Sequence, residues 1–213
     1  MHMESAASEE GEQRPSFVEV PILASPRVRL VENFITAQEV DQVLAIGLPR
    51  MERSLAGGRV ESIRTSSTAA LPESEQVVMS IKRKASFLTG YPIAHIEPLQ
   101  LVQYQPGQEY KPHFDYGGSC DFEENAMAGR RHVTMLVYLN SLDSTQEGHT
   151  LFPELHLSVS PRARSAIVFD DCLSNGEGDS RTLHGGAPPV KNGTKTAINI
   201  WIRERAMRWK WVG

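Results

Sequence analysis

The sequence contains little cysteine, no long apolar run and no excess of basic charge. Cys120 and Cys172 are its only cysteines and lie in unlike contexts, so a disulfide framework is not expected and a reducing compartment suits the chain. No stretch approaches the roughly 18 to 20 apolar residues of a transmembrane helix, and the N-terminus lacks a signal-peptide pattern. The 22 Lys and Arg residues against 26 Asp and Glu give a net charge of -4, which does not favour a nucleic-acid partner. These absences predict a cytoplasmic protein without a membrane partner, although Met1-His2-Met3 looks like a cloning remnant that could have replaced a native leader.

The length and the distribution of apolar residues predict a flexible tail followed by one domain. Residues 1–15 are rich in Glu, Ser and Gly and have almost no bulky apolar side chains, so they cannot offset the entropy of ordering. Residues 16–213 are enough for one substantial core. We expect them to divide into a helical support region over 16–96 and a β-rich core over 97–213. The oligomeric state does not follow from the sequence.

Two amphipathic helices are predicted in the first half of the domain. Thr36 stands three residues before Glu39, which is the spacing of a capping box, and predicts a helix to about Gly47. A second helix is expected from about Glu73 to Leu88, with Gly90 as its stop signal. Both helices should pack on one side of a sheet. The apolar residues expected on one face of the second helix are Val77, Val78, Ile81 and Phe87.

The second half of the chain has short apolar runs separated by Gly, Pro, Asp and Asn clusters, which is typical of strands and turns. Many short strands without intervening helices indicate an antiparallel sandwich or a double-sheet jelly roll. The predicted fold class is therefore α+β, mainly β: a jelly roll (double-stranded β-helix) with N-terminal supporting helices. The candidate strands are Leu99–Tyr104, Tyr110–Phe114, His132–Leu139, Leu155–Val159, Ala166–Phe169, Arg181–His184 and Thr196–Arg203.

Three residues form a candidate metal site. His113 and Asp115 are two residues apart near the end of a predicted strand, so their side chains should share one face. A jelly roll can bring His184, in a distant strand, to the same pocket. Two imidazoles and one carboxylate leave open coordination positions, as in non-haem Fe(II) oxygenases. Two other interpretations stay open here: a surface pair with an unrelated loop histidine, or a Zn(II) or Mn(II) site in a cupin-like hydrolase or isomerase.

A cation near this site would distinguish an oxygenase that uses 2-oxoglutarate from other metal proteins. Lys195 follows His184 by a short interval and opens the last apolar strand, so its ammonium could point into the sandwich. A buried lysine needs an anionic partner, and the distal carboxylate of 2-oxoglutarate would supply one. Most lysines at a strand start are simply solvated, so the position after the second histidine is the reason to single this one out.

Several segments from Leu99 onward resemble the catalytic domain of prolyl 4-hydroxylases. They occur in the order found in that family and, with Lys195, span about half of the chain. An additional stretch, Ile63–Ser67, is similar to part of the family's N-terminal half. The segments are Leu99–Tyr104, Pro106–Tyr116, Thr134–Asn140, Glu147–Pro153, Leu183–Pro188 and Trp201–Arg203.

The resemblance implies an Fe(II)- and 2-oxoglutarate-dependent dioxygenase that uses O2, with ascorbate as reductant. Its substrate would be a prolyl residue in a peptide or protein, hydroxylated while 2-oxoglutarate is decarboxylated to succinate and CO2. The residues implied are His113, Asp115 and His184 as the catalytic iron ligands, Lys195, Tyr104, Tyr138, Thr150 and Trp201 around 2-oxoglutarate, and Tyr110 and Arg131 facing the peptide.

The chain departs from the family pattern between His184 and Lys195. This interval is one residue longer than usual, and a shift of one residue would turn Lys195 to the other sheet face. His149 is not expected to bind metal. The loop from Gly117 to Gly129 is either a lid or an idle insertion.

Three rival functions stay open for the chain. They are an oxygenase acting on another protein residue, a free amino acid or a metabolite; the Zn or Mn cupin-like protein; and a binding module with an inactive metal site.

Overall fold

The computed structural model describes residues 16–56, 58–117 and 128–207. The predicted tail over residues 1–15, Cys120 and the centre of the predicted lid lie outside these ranges. The described ranges contain two α-helices, α1 (Ala37–Gly47) and α2 (Gln76–Thr89). They also contain the strands β1 (Val18–Ala24), β2 (Arg27–Glu32), β3 (Glu52–Arg53), β4 (Ser67–Ala70), β5 (Gln100–Tyr104), β6 (Tyr110–His113), β7 (Arg131–Tyr138), β8 (Thr150–Phe152), β9 (Leu157–Val159), β10 (Ala166–Asp170), β11 (His184–Gly186) and β12 (Lys195–Arg203).

The strands form two antiparallel sheets, which confirms the predicted jelly roll. The larger sheet has the order β1-β2-β10-β7-β12-β5-β4-β3, and the smaller has the order β6-β11-β8-β9. Neighbours in each sheet are often distant in sequence, as β7 and β12 are. The ends of β6 and β11 are thereby brought to the mouth of the space between the sheets.

The large sheet has two buried faces, and β7 shows how the sequence creates them. Val133, Met135 and Val137 belong to the core beneath the helices, whereas Tyr138 belongs to the core between the sheets. This alternation follows from the two-residue period of a strand. A strand buried on both faces is apolar almost throughout. Thr134, in the middle of β7, is an exception, and its hydroxyl forms hydrogen bonds with buried carboxyl groups.

The helices lie against the outer face of the large sheet, as predicted. The Thr36 hydroxyl accepts from the Glu39 backbone N–H over 3.1 Å, and the Glu39 carboxylate accepts from the Thr36 N–H over 2.8 Å, so the predicted capping box is confirmed. Helix α2 ends at Gly90 with φ 78°, the left-handed conformation that glycine adopts at little cost. Phe87 is 57% exposed, so its predicted place on the buried face was wrong, and Leu88 is buried instead. No helix in the described ranges combines the length and apolarity needed to cross a bilayer.

The region 16–96 is only partly helical, which corrects the prediction of a helical support region. Besides the two helices it contributes β1 to β4, all within the large sheet. The strands β1 and β2 form a hairpin around Ser25-Pro26, and β2 pairs with β10. Val18, Val20 and Ile22 of β1 are at least 36% exposed, and this exposed alternation is a weaker signal than a buried apolar run.

The predicted strand over Arg181–His184 is also wrong. Ser180–Thr182 form a 3₁₀ turn, and β11 begins only at His184. The Asp179 side chain accepts from the backbone N–H of Arg181, a local interaction that favours the turn over an extended chain. Pro153–Leu155 form another such turn, so β9 is shorter than predicted.

Candidate active site

The structure brings His113, Asp115 and His184 together at one end of the sandwich. His113 ends β6, His184 begins β11, and the two residues are direct partners across the small sheet. Their Nε2 atoms lie 3.6 Å and 3.4 Å from the carboxylate oxygens of Asp115. The three possible ligand atoms lie within 4.8 Å of one another. A pair separated by 71 residues in the sequence thus shares one site because their strands pair.

Backbone carbonyls fix the orientation of both imidazoles. The Nδ1 of His113 lies 2.9 Å from the carbonyl oxygen of Lys111, and the Nδ1 of His184 lies 3.0 Å from that of Thr182. A carbonyl oxygen can only accept, so Nδ1 must carry the hydrogen in each ring. When a ring is neutral, its lone pair is therefore on Nε2, which faces Asp115. Histidines that bind a metal through one ring nitrogen commonly donate from the other to a protein oxygen in this way.

Asp115 is 6% exposed and supported from two sides. Its Oδ2 accepts from the indole Nε1 of Trp201 over 2.9 Å and lies 2.9 Å from the Thr134 hydroxyl. Burial alone would raise the pKa of Asp115, but the charge of His184 and the hydrogen bonds that both histidines donate when their rings are protonated outweigh it and hold that pKa well below its usual range. The carboxylate is therefore ionised and oriented, and the residues present fit an Fe(II) ion bound by two nitrogens and one oxygen with positions left open.

Lys195 lies inside the sandwich, about 1% exposed. It pairs with Tyr104 in the sheet, and its Nζ donates to the Thr150 hydroxyl over 3.2 Å. The same hydroxyl lies 2.8 Å from the hydroxyl of Tyr138. The ring centroids of Tyr104 and Tyr138 lie 5.5 Å and 5.7 Å from Nζ of Lys195. The longer interval after His184 therefore leaves Lys195 on the inner face of β12.

The electrostatics of Lys195 indicate an anion-binding position. Burial lowers the pKa of Lys195 to about 7, and no carboxylate in the described ranges forms an ion pair with it. A buried ammonium without a counter-ion is costly, so the charge favours an incoming carboxylate. A carboxylate bound here would supply the counter-ion that this ammonium lacks among the described residues.

One cavity joins the candidate metal ligands to Lys195. Four other residues singled out from the sequence line it: Tyr104, Tyr110, Thr150 and Trp201. Tyr138 contacts this group through the Thr150 hydroxyl. The remaining lining residues are Thr134, Leu136, Gly185, Gly186 and Asn199.

Tyr110 and Arg131, the residues expected to face a peptide, lie on different sides of the metal ligands. The ring of Tyr110 stacks on His113 with centroids 3.5 Å apart, and burial raises the pKa of Tyr110 to about 12. The guanidinium of Arg131 lies 4.0 Å over the Trp201 ring. Its Nε and Nη2 donate to both carboxylate oxygens of Glu97 over 2.7 Å and 2.9 Å. Both side chains are thus held in fixed orientations beside the site.

The sequence analysis did not single out four residues that support the site. Arg64 lies 4.9 Å over the Tyr110 ring, and Glu97 orients Arg131. Thr134 lies between the carboxyl groups of Asp115 and Asp171. Thr134 had a signal in the sequence, as a polar residue on the same strand face as Tyr138, and Arg64 lies within the family-like segment Ile63–Ser67. Glu97 and Asp171 depend on tertiary contacts that no local pattern reveals.

Comparisons with known proteins agree with this geometry. A family model described as the 2OG-Fe(II) oxygenase superfamily matches residues 99–203. Prolyl 4-hydroxylase 5 of Arabidopsis thaliana is 33% identical over 224 residues, covering 93% of this chain and 75% of that protein. The human prolyl 4-hydroxylase subunit alpha-1 is 31% identical over 215 residues, covering 94% of this chain but only 40% of that subunit.

Solved structures of prolyl hydroxylases also resemble this chain. The 2-oxoglutarate complex of the viral collagen prolyl hydroxylase from Paramecium Bursaria Chlorella virus-1 matches with a TM-score of 0.65 and 26% identity, covering 83% of this chain and 95% of that one. A Pseudomonas putida prolyl-4-hydroxylase has a TM-score of 0.59 at 17% identity over 83% of this chain and 92% of that one, which supports the fold alone.

The jelly roll and the two-histidine, one-carboxylate site define the class of the protein, the Fe(II)- and 2-oxoglutarate-dependent dioxygenases. Within that class, the chain belongs to the prolyl 4-hydroxylase family. The prediction of such an enzyme is confirmed. The rival interpretations, a cupin-like protein with zinc or manganese and an oxygenase for unrelated substrates, are not favoured.

Proposed function

We propose that this chain hydroxylates prolyl residues in peptides or proteins and couples this to the oxidative decarboxylation of 2-oxoglutarate to succinate and CO2. The observation that carries the proposal is the buried ammonium of Lys195 in the same cavity as His113, Asp115 and His184. Metal ligands alone would suit several kinds of enzyme. A buried cation within reach of them selects a co-substrate with a second carboxylate.

In this proposal His113, Asp115 and His184 hold Fe(II). When bound, the ferrous ion supplies the electrons needed to activate O2, and ascorbate is the proposed reductant that keeps it ferrous. The carbonyls of Lys111 and Thr182 keep the ring nitrogens aimed at the metal. Trp201 and Thr134 donate hydrogen bonds to Oδ2 of Asp115 and thereby fix the orientation of its carboxylate. These contacts would hold the three ligands in the orientation that metal binding requires.

Lys195 receives the distal carboxylate of 2-oxoglutarate in this proposal. The Thr150 hydroxyl, already within 3.2 Å of Nζ, orients the ammonium and is itself positioned by Tyr138. The ring of Tyr104 forms one wall, and Trp201 lines the cavity nearer the metal ligands. The burial that makes Lys195 costly without an anion excludes water from the ion pair once the anion is bound, which strengthens their attraction.

The peptide is proposed to bind at the open side of the cavity, between Tyr110 and Arg131. Stacking on His113 fixes the Tyr110 ring, and Glu97 fixes the guanidinium of Arg131. The Phe114 ring, 39% exposed, adds an apolar surface beside the ligands. Aromatic surfaces with a fixed donor suit an extended, proline-containing peptide, which loses little entropy on binding. Two relatives named prolyl 4-hydroxylases support this substrate class.

The proposal is tested by incubating the protein with Fe(II), 2-oxoglutarate, ascorbate and a proline-rich peptide. We expect succinate and a peptide mass gain of one oxygen atom, located on proline by fragmentation. The same peptide with alanine in place of proline is the substrate control, and the His113→Ala chain is the enzyme control. Succinate formed with modification of a different residue, or none with any proline-rich peptide, would overturn the proposed substrate.

A further inference from the structure

The hydroxyl of Thr134 lies between two buried carboxyl groups. Its Oγ1 is 2.9 Å from Oδ2 of Asp115 and 2.8 Å from Oδ2 of Asp171. Both separations are those of an O–H···O hydrogen bond. A hydroxyl has one hydrogen, so Thr134 can donate to only one of the two carboxyl groups. The other contact needs a hydrogen from the carboxyl group itself.

Asp115 cannot be the carboxyl group that supplies this hydrogen if it binds a cation. Its Oδ2 already accepts from Trp201, and both imidazole Nε2 atoms face its oxygens. A carboxylate that binds metal must be deprotonated. Thr134 therefore donates to Asp115, and the remaining hydrogen belongs to Asp171.

We propose that Asp171 is a positioning residue for the metal ligand Asp115: its carboxyl group retains a proton and donates it to Thr134, so that Thr134 donates in turn to Asp115. The proposal rests on the proposed function, because it assumes that Asp115 binds Fe(II). It assigns a role to a residue that does not line the cavity. The chain of donors fixes the direction of the Thr134 hydroxyl, which would otherwise be free to rotate.

The surroundings of Asp171 favour the neutral form. Its side chain is fully buried, and its Oδ1 has no hydrogen-bond partner among the described residues. An ionised carboxylate with an unpaired oxygen would pay a large desolvation cost there. Burial, with the charge of Asp115 as a further cause, raises the pKa of Asp171 well above its usual range.

The backbone holds Asp171 in place for this task. Its N–H donates to the carbonyl of His132 over 2.8 Å, and its carbonyl accepts from the N–H of Asp179 over 2.9 Å. The neighbouring Asp170 lines a separate cavity together with Arg27 and Arg29. Asp170 is therefore a matched control, since it is the adjacent carboxyl group on the same strand end but lies outside the site.

The test measures the affinity for Fe(II) alone, by anaerobic calorimetric titration, together with the unfolding temperature of each variant. Asp171→Ala and Thr134→Val should weaken Fe(II) binding by about 10- to 100-fold, as loss of an outer hydrogen-bond partner does. Asp171→Asn retains a neutral donor to Thr134, and Thr134→Ser retains the hydroxyl, so both should bind Fe(II) nearly as well as the unchanged chain. Asp170→Ala should also leave the affinity unchanged.

Each result bears on the proposal. If Asp171→Asn weakens Fe(II) binding as much as Asp171→Ala, the negative charge matters and the proton assignment is wrong. If Asp171→Ala is less stable but binds Fe(II) normally, Asp171 has only a structural role and the proposal fails. Where Asp171→Ala does not fold, Asp171→Asn, Thr134→Val and Thr134→Ser still decide between these outcomes. The His113→Ala chain separates the two levels of inference, because undiminished Fe(II) binding by that chain would overturn the proposed metal site itself.

Discussion

Trp201 connects Asp115, in the candidate metal site, to Arg131. Its Nε1 donates to Oδ2 of Asp115 over 2.9 Å, and the guanidinium of Arg131 lies 4.0 Å over its ring. One side chain thus orients the carboxylate with its polar edge and supports the arginine with its aromatic face.

Trp201→Phe separates these two tasks. Phenylalanine retains a ring for Arg131 but has no N–H for Asp115, so we expect Fe(II) affinity to fall by about tenfold. Peptide binding should change less than metal binding. Anaerobic titration with Fe(II) and a peptide binding assay measure the two effects, and unchanged Fe(II) affinity would show that this hydrogen bond is dispensable.

Lys195→Met tests the proposed 2-oxoglutarate position. Removing one partner of a buried charge pair costs about 2–5 kcal/mol of binding free energy, so 2-oxoglutarate should bind far more weakly. Fe(II) affinity should hardly change, because Lys195 bonds to Thr150 and not to a metal ligand. Calorimetric titrations of both ligands provide the comparison, and an equal loss of both would contradict the assigned role.

The buried position of Lys195 also predicts how 2-oxoglutarate binding depends on pH. Without an anion, its pKa is about 7 in the folded chain and 10.5 when unperturbed. Above pH 7 Lys195 is therefore mostly a neutral amine that must take up a proton when the dicarboxylate binds, so the affinity should fall as pH rises. Isothermal titration at several pH values above 7 measures this slope, which should be absent from Lys195→Met.

The lowered pKa of Lys195 also predicts how the stability of the ligand-free chain depends on pH. Between pH 7 and 10.5 the unfolded chain binds more protons at Lys195 than the folded chain does. Stability should therefore rise with pH across this window through this residue. Urea unfolding of the unchanged chain and of Lys195→Met, compared across that pH range, isolates the contribution of Lys195. A parallel pH dependence in both chains would contradict it.

Gly185→Ala should disturb the pairing of β6 with β11, the strands that carry His113 and His184. An added Cβ at Gly185 would lie 2.8 Å from the carbonyl oxygen of Tyr110, in β6, which must then shift. We expect a loss of about 1–3 kcal/mol of stability and weaker Fe(II) binding. Gly186→Ala is the matched control, since its nearest contact would be 3.5 Å, from a side chain. Thermal unfolding and Fe(II) titration should distinguish the two variants, and equal behaviour would refute the steric argument.

Thr36→Ala probes the fold at a distance from the site. The capping box with Glu39 would be lost, and we expect a cost of about 1 kcal/mol in unfolding free energy. Fe(II) affinity should be unchanged, because α1 lies on the outer face of the large sheet. Urea unfolding measures the cost, and a variant as stable as the unchanged chain would show that other contacts hold the start of α1.

Local patterns predicted those parts of the fold that depend on local chemistry. The Thr36 cap, the Gly90 stop and the apolar runs of β5, β7 and β12 were visible because capping and periodicity depend on neighbours in the sequence. The turn before His184 was missed, since the Asp179 side chain outweighs the strand tendency there. The hairpin of β1 and β2 was missed because its apolar residues are largely exposed.

The candidate site was predicted unevenly for a related reason. His113 and Asp115 are close in the sequence, but their meeting with His184 follows from strand pairing, which the predicted jelly roll allowed and the resemblance to a known family indicated. Asp171 and Glu97 act through other side chains, so nothing at their own positions marks them. Their roles could be recognised only from three-dimensional contacts.

The direct pairing of His113 with His184 has a thermodynamic consequence. A ferrous ion held by both would link β6 to β11 at facing positions, so pulling the strands apart would first require release of the ion. Since an unfolded chain does not present this set of ligands, each tenfold rise in free ferrous ion above its dissociation constant should add about 1.4 kcal/mol to the unfolding free energy. The midpoint of heat denaturation would then report the concentration of available metal.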